Sequence, residues 1–236
     1  MADRFYTPAP LAPGEFVLDG AEAHHLGTVR RFAPGDRVTL FNGDGSEYPA
    51  EVLAADRKRV TLTVFPAVTA DRELGHEVVI LSALPKGDRA DFLIEKSTEL
   101  GVTRFVPLVT ARSVVQPKEA KAEKLLRGVI EASKQCGRNR LMRVDPPRRW
   151  GDAVGLPDLP PLKLLLHTAD APGVWELPPD RVRGGVAFAV GPEGGFTPDE
   201  VAAGVVAGWQ SASLGRRVLR VETAAAAAAA WAATAR

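Results

Sequence analysis

Three short segments hold the residues best suited to bind a ligand, and each comes directly after a predicted strand. They are Leu166-His167-Thr168, Gly191-Pro192-Glu193-Gly194-Gly195-Phe196 and the run from Leu214 to Thr223. Because ligands of open α/β sheets bind at the carboxyl ends of the strands, these segments are predicted to line one pocket. Glycine in such a loop lets the backbone approach a ligand closely. The alternative is that the glycines of the second segment only form a tight turn between a strand and a helix.

The third segment crowds Arg216, Arg217 and Arg220 next to Glu222. Several guanidinium groups on one turn repel one another unless they face an anion, so the cluster indicates an anionic ligand. The alternative is an ion pair between one arginine and Glu222, with the other arginines in water.

Other catalytic patterns are absent from the sequence. It contains neither GxGxxG nor GxxxxGK[ST], which argues against a dinucleotide-dependent dehydrogenase and a P-loop nucleotidase. It also lacks the Gly-x-Ser-x-Gly elbow of many hydrolases. The four histidines do not have the spacing of metal ligands, so no metal site is predicted. Cys136 lies among basic residues, which can activate a thiol, but a small residue at a helix end is the favoured interpretation.

The elements that position these segments follow from the alternating pattern after residue 75. Strands are predicted at 78–84, 105–109, 162–166, 186–190 and 211–214. The continuous apolar runs 162–166 and 186–190 are typical of strands buried on both faces of a parallel sheet. Helices are predicted at 88–100 and 118–135, after the capping box that starts at Thr197, and from Thr223 onward. This alternation indicates an α/β domain.

Residues 1 to about 70 have a different character, with short strands and turns. Strands are predicted at 37–41, 47–53 and 60–64, and Asn42-Gly43-Asp44-Gly45 supplies the positive φ of a tight hairpin. One short helix is predicted at 21–30. We interpret this part as a small β-barrel or sandwich, with the linker within 66–75. The chain is therefore divided into a domain of residues 1–72 and a domain of residues 73–236.

The composition is that of a globular protein. Of the 236 residues, 45% are hydrophobic and 25% are charged, which excludes a disordered, collagenous or coiled-coil chain. The alanine-rich run 224–233 is about half as long as the roughly 20 residues of a transmembrane helix. No signal peptide is expected at the N-terminus. A single cysteine cannot form an internal disulfide, which suits a reducing cytoplasm.

Charge is distributed unevenly along the chain. Residues 112–149 carry eleven basic and four acidic side chains, a net charge of +7, whereas residues 1–70 carry a net charge of −2. Such a local excess indicates that the protein binds a polyanion, nucleic acid above all. The alternative for the lysine-rich part of this segment is a solvated helix face.

The loop from Gly191 to Gly195 followed by the run from Leu214 to Ala224 closely resembles the signature of the RsmE family. Members of this family are S-adenosylmethionine-dependent methyltransferases of the SPOUT superfamily that methylate N3 of a uridine in small-subunit ribosomal RNA. Other segments resemble the family in order along the chain. Residues 25–31 and 40–45 are similar to its N-terminal PUA-like barrel, and residues 86–87, 95–102, 110–113 and 135–140 to its central motifs.

The resemblance implies a fold, a cofactor and an assembly. The second domain would be a SPOUT-type α/β domain with a parallel sheet and a trefoil-knotted backbone, and the first a PUA-like small β-barrel. The protein would be a homodimer that needs no metal. Its cofactor would be S-adenosyl-L-methionine, held by Leu166, His167, Thr168, Val190, Gly191, Pro192, Glu193, Gly194, Gly195, Ser213, Leu214, Gly215, Val218, Leu219 and Thr223.

The resemblance also implies roles for charged residues. Loss of the N3 proton spreads negative charge over O2 and O4 of uracil, which a guanidinium group can stabilise. Arg217 and Arg220 are therefore the expected catalytic arginines, and Glu222 would orient an arginine or accept a proton. The residues expected to bind RNA are Arg4, Arg30, Arg31, Arg112, Arg138, Asn139 and Arg140. The expected substrate is small-subunit ribosomal RNA in an assembled 30S particle, in the cytoplasm.

Two alternatives stay open on the sequence. A SPOUT methyltransferase with the same loops can act on another RNA, such as a tRNA base or ribose. A non-catalytic RNA-binding protein would need only the N-terminal barrel and the segment of +7 charge. Binding of S-adenosylmethionine separates an enzyme from the second alternative.

Overall fold

The computed structural model describes residues 3–56, 58–115, 120–167 and 171–234. The chain forms two compact units. Unit 1 comprises residues 1–73 together with 133–141, and unit 2 comprises residues 74–132 and 142–236. The sequence predicted a domain boundary between residues 72 and 73, which assigns segment 133–141 to the second domain. In the structure this segment packs with unit 1.

Unit 1 is built on a small β-sheet. Among the described residues its strands are β1 (Arg4–Tyr6), β2 (Gly14–Asp19), β3 (Arg37–Phe41), β4 (Ser46–Ala55), β5 (Arg59–Val64) and β6 (Val68–Thr69). The order is β1-β3-β4-β5-β2, with β6 paired to β4. Strand β1 runs parallel to β3, and the other pairs are antiparallel. Helix α1 (Gly20–His24) continues into a π-helical turn at His25–Val29.

The local sequence explains the central strands of unit 1. In β5, Val60, Leu62 and Val64 are buried while the threonines between them are half-buried, as the alternating pattern predicts. The predicted hairpin joins β3 to β4, and its Gly43 and Gly45 have φ values of 92° and 103°. Strand β2 lies where the sequence indicated no strand. It pairs with β5 over its whole length and buries mainly Leu18.

Segment 133–141 is attached to the sheet of unit 1 by a polar cluster that we call the Glu47 cluster, formed by Arg4, Glu47, Arg72 and Asn139. The Glu47 carboxylate accepts hydrogen bonds from Arg4 and Arg72, both at 2.6 Å. Arg4 also donates to Asn139 Oδ1 at 2.6 Å, and Arg72 to the Gly137 carbonyl at 2.9 Å. The cluster therefore connects two distant stretches of sequence into one compact unit.

Unit 2 is an α/β unit with a parallel sheet, which confirms the predicted fold class. Its described strands are β7 (Val78–Ala83), β8 (Arg104–Val109), β9 (Arg143–Val144), β10 (Arg148–Arg149), β11 (Leu162–Leu166), β12 (Val186–Val190) and β13 (Gln210–Ala212). The order is β10-β8-β7-β12-β11-β13, with β9 paired to β8, and every pair is parallel. Strands β7 and β12 lie centrally and are buried along their whole length, as expected of continuous apolar runs.

Helices flank this sheet. They are α2 (Asp88–Glu99), α3 (Ala120–Cys136), α4 (Trp150–Ala153), α5 (Pro198–Val206) and α6 (Val221–Thr234), with short 3₁₀ turns at Val174–Glu176 and Pro179–Val182. The alanine-rich helix α6 packs on α2, β7 and β12, and four of its alanines are fully buried. Small side chains allow this close approach between backbones, although each buries little area.

Candidate active site

A pocket of about 340 Å³ lies at the carboxyl ends of β11, β12 and β13. These three strands are neighbours in the sheet, so the loops that follow them meet, as the sequence predicted. The volume is within the range of small-molecule sites, which starts at about 300 Å³. The lining residues are Arg112, Leu166, His167, Val190, Gly191, Pro192, Glu193, Gly194, Gly195, Phe196, Ser213, Leu214, Gly215, Arg217, Val218, Leu219, Val221 and Ala224.

The loop after β12 is a tight turn whose glycines also expose backbone to the pocket. Gly195 has a φ of 69°, and its N–H donates to the Pro192 carbonyl at 2.7 Å. A Cβ on Gly191 would lie 3.1 Å from the ring of Phe196, which packs against Trp150 with ring centroids 5.0 Å apart. The positive φ at Gly195 and the close packing of the Phe196 ring against Gly191 therefore both require glycine here.

The loop ends where α5 begins, and its end is fixed by the predicted capping box. The Thr197 hydroxyl accepts from the Glu200 N–H, while the Glu200 carboxylate accepts from the Thr197 N–H at 2.8 Å. The other oxygen of Glu200 accepts from the Ala111 N–H at 2.8 Å. This carboxylate therefore holds the loop after β8 beside the loop after β12.

Arg112 is part of the pocket wall. Its side chain is exposed, and its Nη1 donates to the Gly194 carbonyl at 2.7 Å. A Cβ on Gly194 would lie 3.3 Å from the Arg112 side chain. The sequence assigned this arginine to RNA binding, and the structure places it beside the loop predicted to hold the cofactor.

The loop after β13 supplies three of the apolar residues of the lining. The Ser213 hydroxyl accepts from the Gly215 N–H at 3.1 Å, and the Ser213 backbone pairs with Gly173. The pocket is then bordered by Leu214, Val218 and Leu219, of which Val218 is 80% exposed. An exposed valine at a pocket edge leaves apolar surface available to a ligand.

The charged residues predicted for catalysis are distributed around this pocket. Arg217 is exposed and lines it, whereas Arg220 is exposed and is not part of the lining. Within the described part of the chain, neither they nor Arg216 form an ion pair. Glu222, in the first turn of α6, is buried and lies outside the lining, although Val221 and Ala224 are part of it.

Two residues predicted to bind the cofactor are not among the residues that line the pocket in the described part of the chain. Thr223 is exposed on α6 and lies outside it. Thr168 is outside the described residues. All the other predicted cofactor-binding residues are lining residues, so the structure brings together most of a set that the sequence spreads over 58 positions, from 166 to 223.

Arg89 is a charged residue near the pocket that the sequence did not single out. It stands at the start of α2, where its Nη2 donates to Glu193 Oε1 at 3.2 Å and its Nη1 lies 3.9 Å from Glu222 Oε2. The nearest cation to Glu222 is thus an arginine of another helix, not one of the arginines of the 214–223 run. Only the position of β7 next to β12 reveals this proximity.

The residues predicted to bind RNA fall into two groups. Arg30, Arg31, Arg112 and Arg140 are exposed. Arg4, Arg138 and Asn139 are buried: Arg4 belongs to the Glu47 cluster with Asn139, and Arg138 donates to Glu73 at 2.6 Å. The side chains of this second group hold unit 1 together, and the positive charges of Arg4 and Arg138 are paired with Glu47 and Glu73 within the unit.

Two further observations concern metals and membranes. Among the described residues, no group of three or more His, Cys, Asp and Glu side chains is arranged to hold a metal ion. No helix formed by those residues is both long enough and apolar enough to cross a membrane.

Comparison with known proteins identifies the family. A family model described as an RNA methyltransferase domain matches residues 72–233, and one described as an RNA methyltransferase PUA domain matches residues 18–65. The ribosomal RNA small subunit methyltransferase E of Synechocystis is 33% identical over 221 residues, which is 92% of this chain and 72% of that protein. The chain belongs to the RsmE family. The RsmE of Bacillus subtilis is 32% identical over 89% of this chain and 86% of its own length.

A solved RsmE structure has the same fold. The RsmE of Neisseria gonorrhoeae, bound to S-adenosylmethionine, superimposes with a TM-score of 0.90 at 33% identity and covers 98% of this chain and 96% of its own. The resemblance of the motifs to RsmE and the expected PUA-like N-terminal domain are thereby confirmed.

Proposed function

We propose that this chain transfers the methyl group of S-adenosylmethionine to N3 of a uridine in small-subunit ribosomal RNA. The observation that carries the proposal is the pocket formed by three loops at neighbouring strand ends, in a chain of the RsmE family. The N. gonorrhoeae relative, which binds this cofactor, supports the choice of methyl donor.

The residues of the pocket fit S-adenosylmethionine. Gly191 and Gly194 line the pocket with main chain alone, so groups of the cofactor can contact backbone atoms directly. Leu166, Val190 and Leu219 provide apolar surface for a heteroaromatic ring. Glu193 places a carboxylate at the rim, which can accept a hydrogen bond from the amino group of the cofactor in addition to the one from Arg89.

When bound, the cofactor supplies a methyl group on a positively charged sulfur, already a strong electrophile. The chain's own residues then have to align the uracil and stabilise the charge that appears on O2 and O4 as the N3 proton leaves. Arg217 lines the pocket and Arg220 directly precedes α6, so both are proposed for this role. Glu222 is proposed to keep the first turn of α6 in place or to accept the proton.

RNA is proposed to contact the exposed arginines Arg30, Arg31, Arg112 and Arg140. Arg4, Arg138 and Asn139 support binding indirectly, because they keep segment 133–141 on unit 1. The proposed substrate is the assembled 30S particle, which implies action in the cytoplasm. The knot implied by the family resemblance is part of the same proposal.

The test is methyl transfer from labelled S-adenosylmethionine to 30S particles that lack the modification, followed by nucleoside analysis. We expect label in 3-methyluridine only. Label in a ribose or another base would assign a different target, and RNA binding without cofactor binding would favour a non-catalytic protein. Naked ribosomal RNA in parallel tests the preference for particles.

We also propose a homodimer. The buried alanines of α6 pack within unit 2, so this assembly is supported by the family resemblance and not by the alanine pattern. Light scattering at micromolar concentration is expected to give about twice the chain mass of 25.2 kDa. A mass equal to one chain would contradict the dimer.

A further inference from the structure

We propose that Arg89 is a positioning residue of the active site, which ties the loop after β12 to the first turn of α6 through Glu193 and Glu222. This inference rests on the proposed function. Arg89 is not among the residues that line the pocket, so it acts through the two carboxylates.

The sheet order explains how one arginine reaches both partners. Strand β7 lies next to β12, and α2 begins at Asp88, shortly after β7 ends. The first turn of α2 therefore faces the loop that follows β12, while α2 also packs along α6. One nitrogen of Arg89 donates to Glu193 at 3.2 Å, and the other lies 3.9 Å from Glu222.

Glu222 depends on a nearby cation because it is buried. Its side chain is 8% exposed, and its Oε2 has no hydrogen-bond partner among the described residues. A buried carboxylate without a compensating charge is strongly destabilising. Arg89 supplies that charge, and the N-terminus of α6 adds a favourable dipole.

The two carboxylates belong to two different segments that form the pocket wall, the loop after β12 and the first turn of α6. Glu193 itself is a lining residue, and Glu222 lies between Val221 and Thr223, with Val221 and Ala224 in the lining. Displacement of Glu193 moves the cofactor loop, and displacement of Glu222 moves the start of α6 next to Arg220. Loss of Arg89 should therefore alter both cofactor affinity and the rate at saturating cofactor.

The experiment uses the full chain and the variants Arg89→Met, Arg89→Lys, Glu193→Gln and Glu222→Gln, with Arg183→Met as an exposed arginine control in unit 2. Calorimetry gives the dissociation constant of S-adenosylmethionine, and single-turnover assays on 30S particles give the rate. We expect Arg89→Met to weaken cofactor binding about tenfold and to slow the saturated rate, with little further loss of affinity when Glu193→Gln is added. Arg89→Lys should restore only one of the two effects. A lysine ammonium group is a point charge, and it cannot reach Glu193 and Glu222 at once as the two nitrogens of the planar guanidinium group do.

Thermal melting supplies a readout that needs no cofactor. If Arg89 compensates the buried carboxylate, Glu222→Gln should raise the melting temperature of Arg89→Met while lowering or leaving unchanged that of the wild type. Two additive results would overturn the inference: additive effects of Arg89→Met and Glu193→Gln on cofactor affinity, and additive effects of Arg89→Met and Glu222→Gln on the melting temperature. Failure of the wild-type chain to bind S-adenosylmethionine would instead refute the proposed function, and the melting experiment would still decide the role of Arg89.

Discussion

Gly194 has little room for a side chain. A Cβ there would lie 3.3 Å from Arg112, whose guanidinium donates to the Gly194 carbonyl. This contact is tighter than ordinary packing, so a branched side chain has to displace Arg112 or move the loop into the pocket.

We therefore expect Gly194→Val to abolish measurable binding of S-adenosylmethionine in calorimetry while the chain stays folded by circular dichroism. Gly151→Val is the matched control, because Gly151 is exposed and a Cβ there would meet nothing within 4 Å. Unchanged affinity in the folded Gly194 variant would place the cofactor elsewhere.

Arg220 and Arg217 present a choice between two guanidinium groups. If Arg220 stabilises charge on the uracil, Arg220→Ala should lower the single-turnover methylation rate by about 10²-fold or more with little change in cofactor affinity. Arg220→Lys should recover part of the rate, since lysine keeps the charge and loses the planar geometry. Lost cofactor binding with a normal saturated rate would make Arg220 a binding residue and transfer the catalytic role to Arg217.

At the scale of the element, the Glu47 cluster determines whether strands β1 and β4 hold segment 133–141. Burial alone would raise the pKa of Glu47, but hydrogen bonds and charge from Arg72 and Arg4 outweigh it and hold the pKa below its usual value. The folded-state pKa is thus depressed, and the associated stability is present above the pKa of the unfolded carboxyl group.

Glu47→Ala should consequently lower the free energy of unfolding by about 3 kcal/mol at pH 7, because it leaves Arg4 buried without its carboxylate. The difference in the free energy of unfolding between the wild type and the variant should have its whole value above about pH 5. It should shrink as the pH falls toward the pKa of Glu47 in the folded state. Denaturant melts over this pH range check both statements. Glu15→Ala, an exposed substitution in the same unit, should change stability little.

Elements with a strong local pattern were predictable from the sequence. The apolar runs of β7, β11 and β12 and the capping box of α5 appear close to the predicted bounds. Strand β2 was missed because Leu18 is its one buried residue and Phe16 is only half-buried, so the segment has no alternating apolar pattern. Pairing with β5 makes this segment a strand. The two-residue strands β9 and β10 have no periodicity at all.

The site was predictable where its residues follow strands and unpredictable where it depends on strand order. The three loops could be grouped because they come after strands of one parallel sheet. Arg89 could not be assigned, since nothing in the sequence places β7 beside β12. Likewise, the sequence offers Arg4 and Arg138 as surface charge, and only the fold shows that Glu47 and Glu73 accept their hydrogen bonds.

At the scale of the whole molecule, the basic segment 112–149 has less free charge than its net +7 indicates. Arg138, Lys134 and Lys124 form ion pairs with Glu73, Glu22 and Asp91, three acidic residues that lie outside the segment. The exposed Arg140, whose guanidinium lies 3.1 Å from the position of a Cβ on Gly45, stays at the surface of unit 1.

RNA affinity should therefore fall steeply with salt and depend on exposed arginines. Arg140→Gln is expected to reduce the slope of log affinity against log salt by roughly 0.7–0.9, as for the loss of one phosphate contact. Arg183→Gln, outside the proposed RNA surface, should leave the slope unchanged. Filter binding to a ribosomal RNA fragment at several salt concentrations measures both, and an affinity independent of salt would refute an electrostatic interface.

The discontinuous make-up of unit 1 also affects its synthesis on the ribosome. After residue 73 is made, the N-terminal sheet still lacks the Asn139 side chain and the Gly137 carbonyl that accept hydrogen bonds from Arg4 and Arg72. At roughly 5–20 residues per second, residues 74–141 need several seconds of further translation. During that interval a nascent chain carries an incomplete first unit while unit 2 is already being made. Translation arrested before residue 141 should thus yield a protease-sensitive N-terminus, and arrest after the segment has left the exit tunnel a protected one.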